Sequence, residues 1–239
     1  MTTPGGGPTQ LVCPGREFSL ERPLVMGILN VTPDSFSDGG ALFSSSGLNV
    51  DALCGAAESM VVAGASFLDI GGESTRPGAL AVSEQEEMDR VLGAIACIQG
   101  RFDVEISLDT STPKVMLAGA AAGVGLINDV RALSREGAME AAATTGLPIC
   151  LMHMQGDPLT MQAGPQYLNV LAEVTQFLEQ RASACSEAGI SRDRLIFDPG
   201  FGFGKTPQHN FALLKHLPEE VGLGQPVLVG LSRKSMIAS

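Results

Sequence analysis

Basic residues are scarce in this 239-residue chain, which has 15 lysines and arginines against 26 aspartates and glutamates and therefore a formal net charge of -11. A nucleic-acid or anionic-membrane surface needs a basic stripe that replaces released counterions, so the composition argues against both kinds of partner. An anionic small molecule is compatible with this charge only where cations gather locally against the overall field.

Long apolar runs are also absent: no stretch reaches the roughly 18 unbroken apolar residues that a membrane-spanning helix needs. The first ten residues, MTTPGGGPTQ, have neither the basic region nor the apolar region of a secretory signal. We therefore expect a soluble, cytoplasmic protein. Residues 1–15 are expected to form a disordered tail, followed by a single domain over residues 16–239 that is large enough to bury a sizeable core.

Cysteine and histidine are too few and too scattered for the sites that they commonly build. The five cysteines are odd in number and form no CxxC pair, which predicts reduced residues packed in the core rather than a disulfide framework or a zinc site. Of the three histidines only His153 follows a predicted strand, so no Ser/His/Asp triad is expected. We expect His153 to be an oriented hydrogen-bonding residue rather than a general base.

Short aliphatic and β-branched runs recur along the chain and predict seven strands. Stretches with helical spacing of apolar residues lie between them, for example from Val170 to Gly189, where the glycine is typical of a helix C-terminus. Regular strand and helix alternation predicts right-handed βαβ units and a parallel sheet. The predicted strands are Pro23–Val31, Phe67–Gly72, Glu105–Thr110, Gly125–Val130, Pro148–His153, Leu195–Gly200 and Pro226–Ser232.

Polar side chains follow nearly every one of these apolar runs. A single Asp or Asn could equally cap the next helix, but polar residues at all seven ends favour a ligand-binding rim, because the C-terminal ends of parallel strands meet there. Ser107 and Asp109 share one face of their strand and Leu108 takes the other, as an inward polar pattern requires. The pattern favours a (β/α)₈ barrel over an open doubly wound sheet. The end residues are Asn30, Asp69, Asp109, Asn128, His153, Asp198 and Lys234.

Six motifs lie at these predicted strand ends: MGILNVTPDSFSDGG, DIGGESTRPGA, SLDTSTPKV, LINDVRALS, LIFDPGFGFGK and LVGLSRKSM. In order and wording they resemble the dihydropteroate synthase family, from about Val25 to the end of the chain. The resemblance implies a TIM barrel that uses Mg²⁺ to condense hydroxymethyl-dihydropterin diphosphate with p-aminobenzoate in folate biosynthesis, releasing pyrophosphate. It also implies a sulfonamide target and a homodimer for the full-length form.

The resemblance implies a pterin pocket formed by Asp109, Asn128, Asp198 and Lys234. These residue types suit a pterin independently, because its amino-pyrimidine edge presents donors beside a carbonyl. Carboxylates accept such donors, an amide both donates and accepts, and a lysine can reach the carbonyl. The resemblance implies Asn30 as the Mg²⁺ ligand, and its hard amide oxygen suits that ion.

For the aminobenzoate, the resemblance implies apolar walls and a carboxylate site at the N-terminus of a helix that opens at Ser235. Without the resemblance, Phe36 and Phe203 are more readily interpreted as plain core residues. Thr75 and Arg76 are implied for the diphosphate, and the planar guanidinium of Arg76 suits a phosphate. The full implied set for aminobenzoate is Phe36, Thr75, Pro77, Phe203 and Ser235.

The expected reaction needs no strong base. Loss of diphosphate leaves positive charge on the exocyclic methylene of the dihydropterin, so stabilising that departure is the main catalytic task. The aniline nitrogen then loses its proton after attacking an already cationic carbon. The predicted catalytic residues are Asn30, Arg76 and Lys234.

The same motifs bear on two other functions. The run PGFGFGKT only resembles a Walker A motif, because Pro199 stands at its first glycine, which argues against a P-loop NTPase. A pterin-binding module of the corrinoid-dependent methyltransferase type shares the Asp and Asn contacts, but leaves Phe36, Arg76 and the SRKS run without a purpose. It stays open as an alternative.

The chain ends soon after the seventh predicted strand, so the expected architecture is a (β/α)₈ barrel truncated before its eighth strand. In the family that strand ends in an Arg-x-His pair that helps to hold the diphosphate and the metal. An inactive truncated synthase is therefore a further alternative. Unpaired strand edges would also promote aggregation.

Overall fold

Strands and helices alternate along most of the chain, as the apolar periodicity predicts. The computed structural model describes residues 8–32, 43–44, 47–74, 82–156, 161, 164–217, 223–232 and 234. Its strands are β1 (Gln10–Cys13), β2 (Arg16–Ser19), β3 (Met26–Asn30), β4 (Phe43–Ser44), β5 (Gly47–Leu48), β6 (Phe67–Gly71), β7 (Glu105–Asp109), β8 (Leu126–Asp129), β9 (Ile149–Met152) and β10 (Leu195–Asp198).

Six helices connect these strands in the described residues, and local capping explains where several of them begin and end. Ser83 starts the second helix with a capping box to Glu86, and Thr206 caps the sixth. Gly189 has a φ of 84° one residue beyond the cap of the fifth helix, as the sequence predicted. The helices are α1 (Val50–Val62), α2 (Glu84–Gln99), α3 (Pro113–Ala121), α4 (Ala138–Thr145), α5 (Val170–Glu187) and α6 (Pro207–Lys215).

Six of the strands form one parallel sheet in the order β10-β9-β8-β7-β6-β3. The seventh predicted strand is reduced to a single bridge between Val227 and Phe197, whose amide donates to the Pro226 carbonyl at 2.9 Å. Among the described residues, β3 and this segment are the two edges of the unclosed sheet. Ile28 of β3 is consequently 50% exposed.

Side-chain alternation sorts the sheet into an outer and an inner face. Outward residues such as Leu29, Ile70 and Leu108 pack in the main core, which includes residues of the surrounding helices. Inward residues near the N-terminal ends of the strands form a second, smaller apolar cluster. Ser107 and Asp109 lie on the inward face, and Ile106 and Leu108 on the outward one, as their spacing predicted. The inward cluster includes Phe67, Leu126, Cys150 and Ile196.

The N-terminal hairpin corrects one sequence prediction. Residues 10–13, expected to belong to a disordered tail, form β1 and pair antiparallel with β2. Leu11 and Cys13 alternate with exposed neighbours and join the inward apolar cluster, which closes the lower end of the sheet. The signal for this hairpin was the alternation on either side of Pro14–Gly15, a typical turn pair.

The cysteines give a second correction. Cys54 of α1 and Cys97 of α2 form a disulfide, whereas the sequence predicted five reduced residues. The two positions are 43 residues apart, so only the packing of neighbouring helices brings them together. The other three cysteines are free and buried, as expected. Within the described residues no helix is both long and apolar enough to cross a membrane.

Candidate active site

Polar residues from neighbouring strands meet in one row on the inward face. Strand register places Asn30 beside Gly71, Gly71 beside Asp109, and Asp109 beside Asn128. A Cβ added to Gly71 would lie 3.3 Å from both Asn30 Oδ1 and Asp109 Oδ2. The missing side chain of Gly71 therefore lets an amide oxygen and a carboxylate oxygen approach the same point.

Asp69, one pleat below this row, is the hydrogen-bonding centre of the site. Its Oδ1 accepts from Ser107 Oγ at 2.6 Å, and its Oδ2 accepts from Asn128 Nδ2 at 3.0 Å. Burial raises the pKa of Asp69 to about 6, against the lowering effect of the Ser107 and Asn128 hydrogen bonds. Because Asp69 engages the amide nitrogen of Asn128, the amide oxygen of Asn128 is left to accept from a ligand.

Asp109 lies among other carboxylates at the mouth of the site, which is the rim formed by the C-terminal ends of the parallel strands. Burial, followed by the charges of Asp69, Asp129, Glu87 and Glu73, raises the pKa of Asp109 well above its usual value. Ionising Asp109 therefore adds to the repulsion between neighbouring carboxylates in this part of the protein. A ligand that brings hydrogen-bond donors or cations would relieve this repulsion.

Asp198 and Lys234 complete the inward polar group. The Asp198 carboxylate accepts from the Gly200 amide at 2.7 Å, and burial raises its pKa despite the opposing charge of Lys234. Lys234 Nζ donates to the Phe201 carbonyl and lies 4.4 Å from the centroid of the Phe203 ring. Burial lowers the pKa of Lys234, while Asp198 acts to raise it.

An ion pair beside the mouth was not anticipated from the sequence. Arg131 Nη1 lies 3.0 Å from Glu73 Oε2 and 3.1 Å from Ser111 Oγ, linking the segments after β6, β7 and β8. Asp129 accepts from the backbone amides of Arg131 and Leu133, both at 2.8 Å. The DVRAL run contained these residues, but nothing in its spacing indicated which carboxylate the arginine would meet.

The structure thus brings together six of the residues implied for the site: Asn30, Asp109, Asn128, Asp198, Phe203 and Lys234. Their roles toward substrates stay predictions. The other five implied residues lie outside the described part of the chain: Phe36, Thr75, Arg76, Pro77 and Ser235.

A magnesium site fits the donor set in the row. Asn30 Oδ1 and Asp109 Oδ2 both approach Gly71, and amide and carboxylate oxygens are hard ligands suited to Mg²⁺. Mg²⁺ commonly takes only one or two protein ligands together with waters and phosphate oxygens. It does not need a cluster of three His, Cys, Asp or Glu side chains, and the described part of the chain holds no such cluster.

Replacing Asp69 with asparagine is expected to change how stability depends on pH. A folded-state pKa of about 6, above the unfolded value, means that stability present below about pH 4 is lost as pH rises through 6. The asparagine variant should match the parent near pH 4 and exceed it by up to about 3 kcal/mol at pH 7. Urea unfolding of both proteins from pH 4 to 7 measures this, and parallel profiles would contradict it.

Comparison with known proteins identifies what this geometry resembles. The family model described as pterin binding enzyme matches residues 26–239. The dihydropteroate synthase of Escherichia coli (strain K12) is 52% identical over 228 residues, which are 95% of this chain and 79% of that protein. The dihydropteroate synthase of Haemophilus influenzae is 52% identical over 222 residues, covering 93% of this chain and 79% of that protein.

Solved structures give the same result for the fold. The Yersinia pestis dihydropteroate synthase with a sulfonamide drug complex superposes with a TM-score of 0.91 at 52% identity, covering 96% of this chain and 82% of that one. The Xanthomonas albilineans dihydropteroate synthase in complex with 7,8-dihydropteroate gives 0.82 at 45% identity, covering 96% and 80%. The inward row therefore lies in a TIM-barrel fold, as the strand-end pattern predicted.

Proposed function

The chain belongs to the dihydropteroate synthases of the pterin-binding enzyme family, and on that premise we propose how its described residues serve the condensation of hydroxymethyl-dihydropterin diphosphate with p-aminobenzoate. The observation that carries the proposal is the single inward row. Asn30, Asp109 and Asn128 lie in register there, and Asp198 with Lys234 faces the same interior. The alternative of a pterin-binding module without this reaction has no comparable support.

In this proposal the pterin is bound by complementary hydrogen bonds. Asp198 and Asp109 accept the donors of the amino-pyrimidine edge, and Lys234 donates to the pterin carbonyl. Asn128 offers its amide oxygen, because its amide nitrogen donates to Asp69, which is itself held by a hydrogen bond from Ser107. A pterin brings donors to carboxylates whose pKa values burial has raised, so binding stabilises their charged forms.

The diphosphate departs at the end of the row that contains Asn30. Asn30 and Asp109 would hold Mg²⁺ in this proposal, and when bound the ion would neutralise charge that develops on the leaving phosphate oxygens. Arg76 and Thr75 stay predicted for the diphosphate on the family resemblance alone. Phe203, stacked below the Lys234 ammonium, provides one wall for the ring of p-aminobenzoate.

Pyrophosphate release tests the proposal directly. Release by this chain should require both the pterin diphosphate and p-aminobenzoate, and should stop when Mg²⁺ is chelated. Pterin binding without any release, in this chain and in one extended by the eighth strand that the family resemblance implies, would contradict it. Release only in the extended chain would keep the assignment and show that the added residues are needed for turnover.

Two broader properties stay proposals. We propose a homodimer for the full-length form on the family resemblance, and a cytoplasmic location on the composition of the sequence. Sedimentation of the purified protein and fractionation of cells measure them separately.

A further inference from the structure

Lys205 is a buried lysine whose side chain joins two loops at the mouth of the site. The residue is only 3% exposed to solvent. Its Nζ donates to the carbonyls of Gly200 at 2.9 Å, Phe203 at 3.1 Å and His153 at 3.3 Å. The same nitrogen lies 2.9 Å from His153 Nδ1, so the third N–H of the ammonium is shared between that ring nitrogen and the His153 carbonyl. One ammonium therefore connects the end of β9 with the glycine-rich loop after β10.

The contact fixes the state of His153. An ammonium has only donors, so Nδ1 of His153 must accept and the ring proton must sit on Nε2. Burial, and then the Lys205 charge, lowers the pKa of His153 to about 3, in agreement with a neutral ring. Phe177 packs edge-on against the imidazole at 5.0 Å between centroids, which holds its orientation.

Other side chains also hold the loop that Lys205 contacts: Tyr167 donates from its hydroxyl to the Gly204 carbonyl at 2.9 Å, and Lys234 donates to the Phe201 carbonyl. Asp198 binds the amide of Gly200 at 2.7 Å, and Asn210 of α6 binds the amide of Gly202 at 2.8 Å. These two contacts act on backbone amides, whereas Lys205 binds backbone carbonyls of the same loop. Among these five side chains, Lys205 is the one that contacts the backbone of Phe203.

We propose that Lys205, seated on His153, is a positioning residue that sets the Phe203 ring as a wall of the aminobenzoate site. It acts through the backbone of residues 200–205 and touches no substrate. Phe203 carries its ring beneath Lys234 Nζ, so a shift of its backbone would displace that wall while the Asp109 and Asn128 side of the pterin site stays in place. This inference rests on the proposed function for its kinetic consequences and on geometry alone for the state of His153.

The kinetic test compares the two substrates in one enzyme. Lys205→Met keeps length but removes every donor, and should raise the KM for p-aminobenzoate about tenfold while the KM for the pterin diphosphate changes less than about threefold. His153→Leu should act in the same direction, and His153→Asn, whose amide oxygen can replace Nδ1 as acceptor, should restore most of the loss. Lys215→Met, on the exposed end of α6, is the matched control and should change neither KM.

Equal changes in both KM values, or no rescue by His153→Asn, would overturn the positioning role. A spectroscopic measurement keeps the inference separate from the proposed function. In ¹⁵N-histidine-labelled protein at neutral pH, His153 should show a protonated Nε2 and an accepting Nδ1, and Lys205→Met should alter the Nδ1 signal. A protonated Nδ1 in the parent protein would refute the inference even if turnover is normal, whereas absent turnover with the expected spectrum would count against the proposed function only.

Discussion

Replacing Asp109 with alanine is expected to lower kcat/KM for the condensation by a factor on the order of 10² or more. Hydrogen bonds to a charged partner contribute roughly 1.5–3 kcal/mol each, and Asp109 is placed to accept from the pterin edge in register with Asn128. Steady-state pyrophosphate release at varied concentrations of both substrates measures the loss. Near-normal kinetics would remove Asp109 from the site.

The same position should show the opposite effect on stability. Neighbouring carboxylates and burial raise the pKa of Asp109, so its ionised form opposes folding at neutral pH. Asp109→Asn keeps the shape and removes the charge, and we expect it to unfold at a higher urea concentration than the parent at pH 7. This gain should vanish below about pH 4, where the unfolded carboxyl is also protonated.

A matched control lies at the opposite end of the same strand. Asp103, just before β7, is an exposed carboxylate paired with Arg16 near the hairpin. Asp103→Ala removes a carboxylate without touching the mouth, and an exposed pair contributes at most about 1 kcal/mol. Normal kinetics in this variant, together with lost turnover in the Asp109 variant, would locate the effect at the mouth.

Replacing Gly200 with alanine is expected to destabilise the protein by about 3 kcal/mol or more. Gly200 has a φ of +70°, and its added Cβ would lie 1.8 Å from the His153 carbonyl oxygen. That oxygen belongs to the backbone and also accepts a hydrogen bond from Lys205. It therefore cannot move away from the added Cβ without disrupting that hydrogen bond. Chemical unfolding measures the change, and the variant should lose activity through displacement of the loop that carries Phe203.

Gly146→Ala separates the two contributions in that prediction. Gly146 follows α4 with the same φ of +70°, but nothing lies within 4 Å of its added Cβ. Alanine there meets only the left-handed backbone cost, roughly 1–2 kcal/mol. Equal destabilisation at both positions would mean that the close approach to His153 contributes nothing.

The loss of kcat/KM in Asp109→Ala and the gain of stability in Asp109→Asn have the same cause, which is the cluster of acidic residues at the mouth. Burial and mutual repulsion raise the pKa values of these carboxylates, so their ionised forms lower the stability of the protein without ligand. The same carboxylates are suited to a ligand that brings many hydrogen-bond donors. Binding sites commonly retain such locally unfavourable groups because the ligand supplies the missing partners. A net charge of -11 argued against polyanionic partners, but it did not reveal how many of the acids converge.

The amino-acid sequence by itself determined the strand and helix alternation, the inward face of each strand and the rim at which the polar residues meet. These features follow from periodicity: side chains alternate along a strand, and parallel strands end together, so Asp109 and Asn128 had to share a rim once the fold was a barrel. The motifs then identified the family over most of the chain. Local patterns sufficed because each feature depends on residues close together in sequence.

Only the tertiary structure decided the contacts between side chains far apart along the chain. The bonds of Asp69 to Ser107 and Asn128, the Arg131–Glu73 ion pair and the Cys54–Cys97 disulfide depend on how strands and helices pack. The contact between Lys205 and His153 likewise joins residues 52 positions apart. Periodicity assigns a side chain to a face but not to a partner, because partner choice is set by register and by the space that neighbouring elements leave.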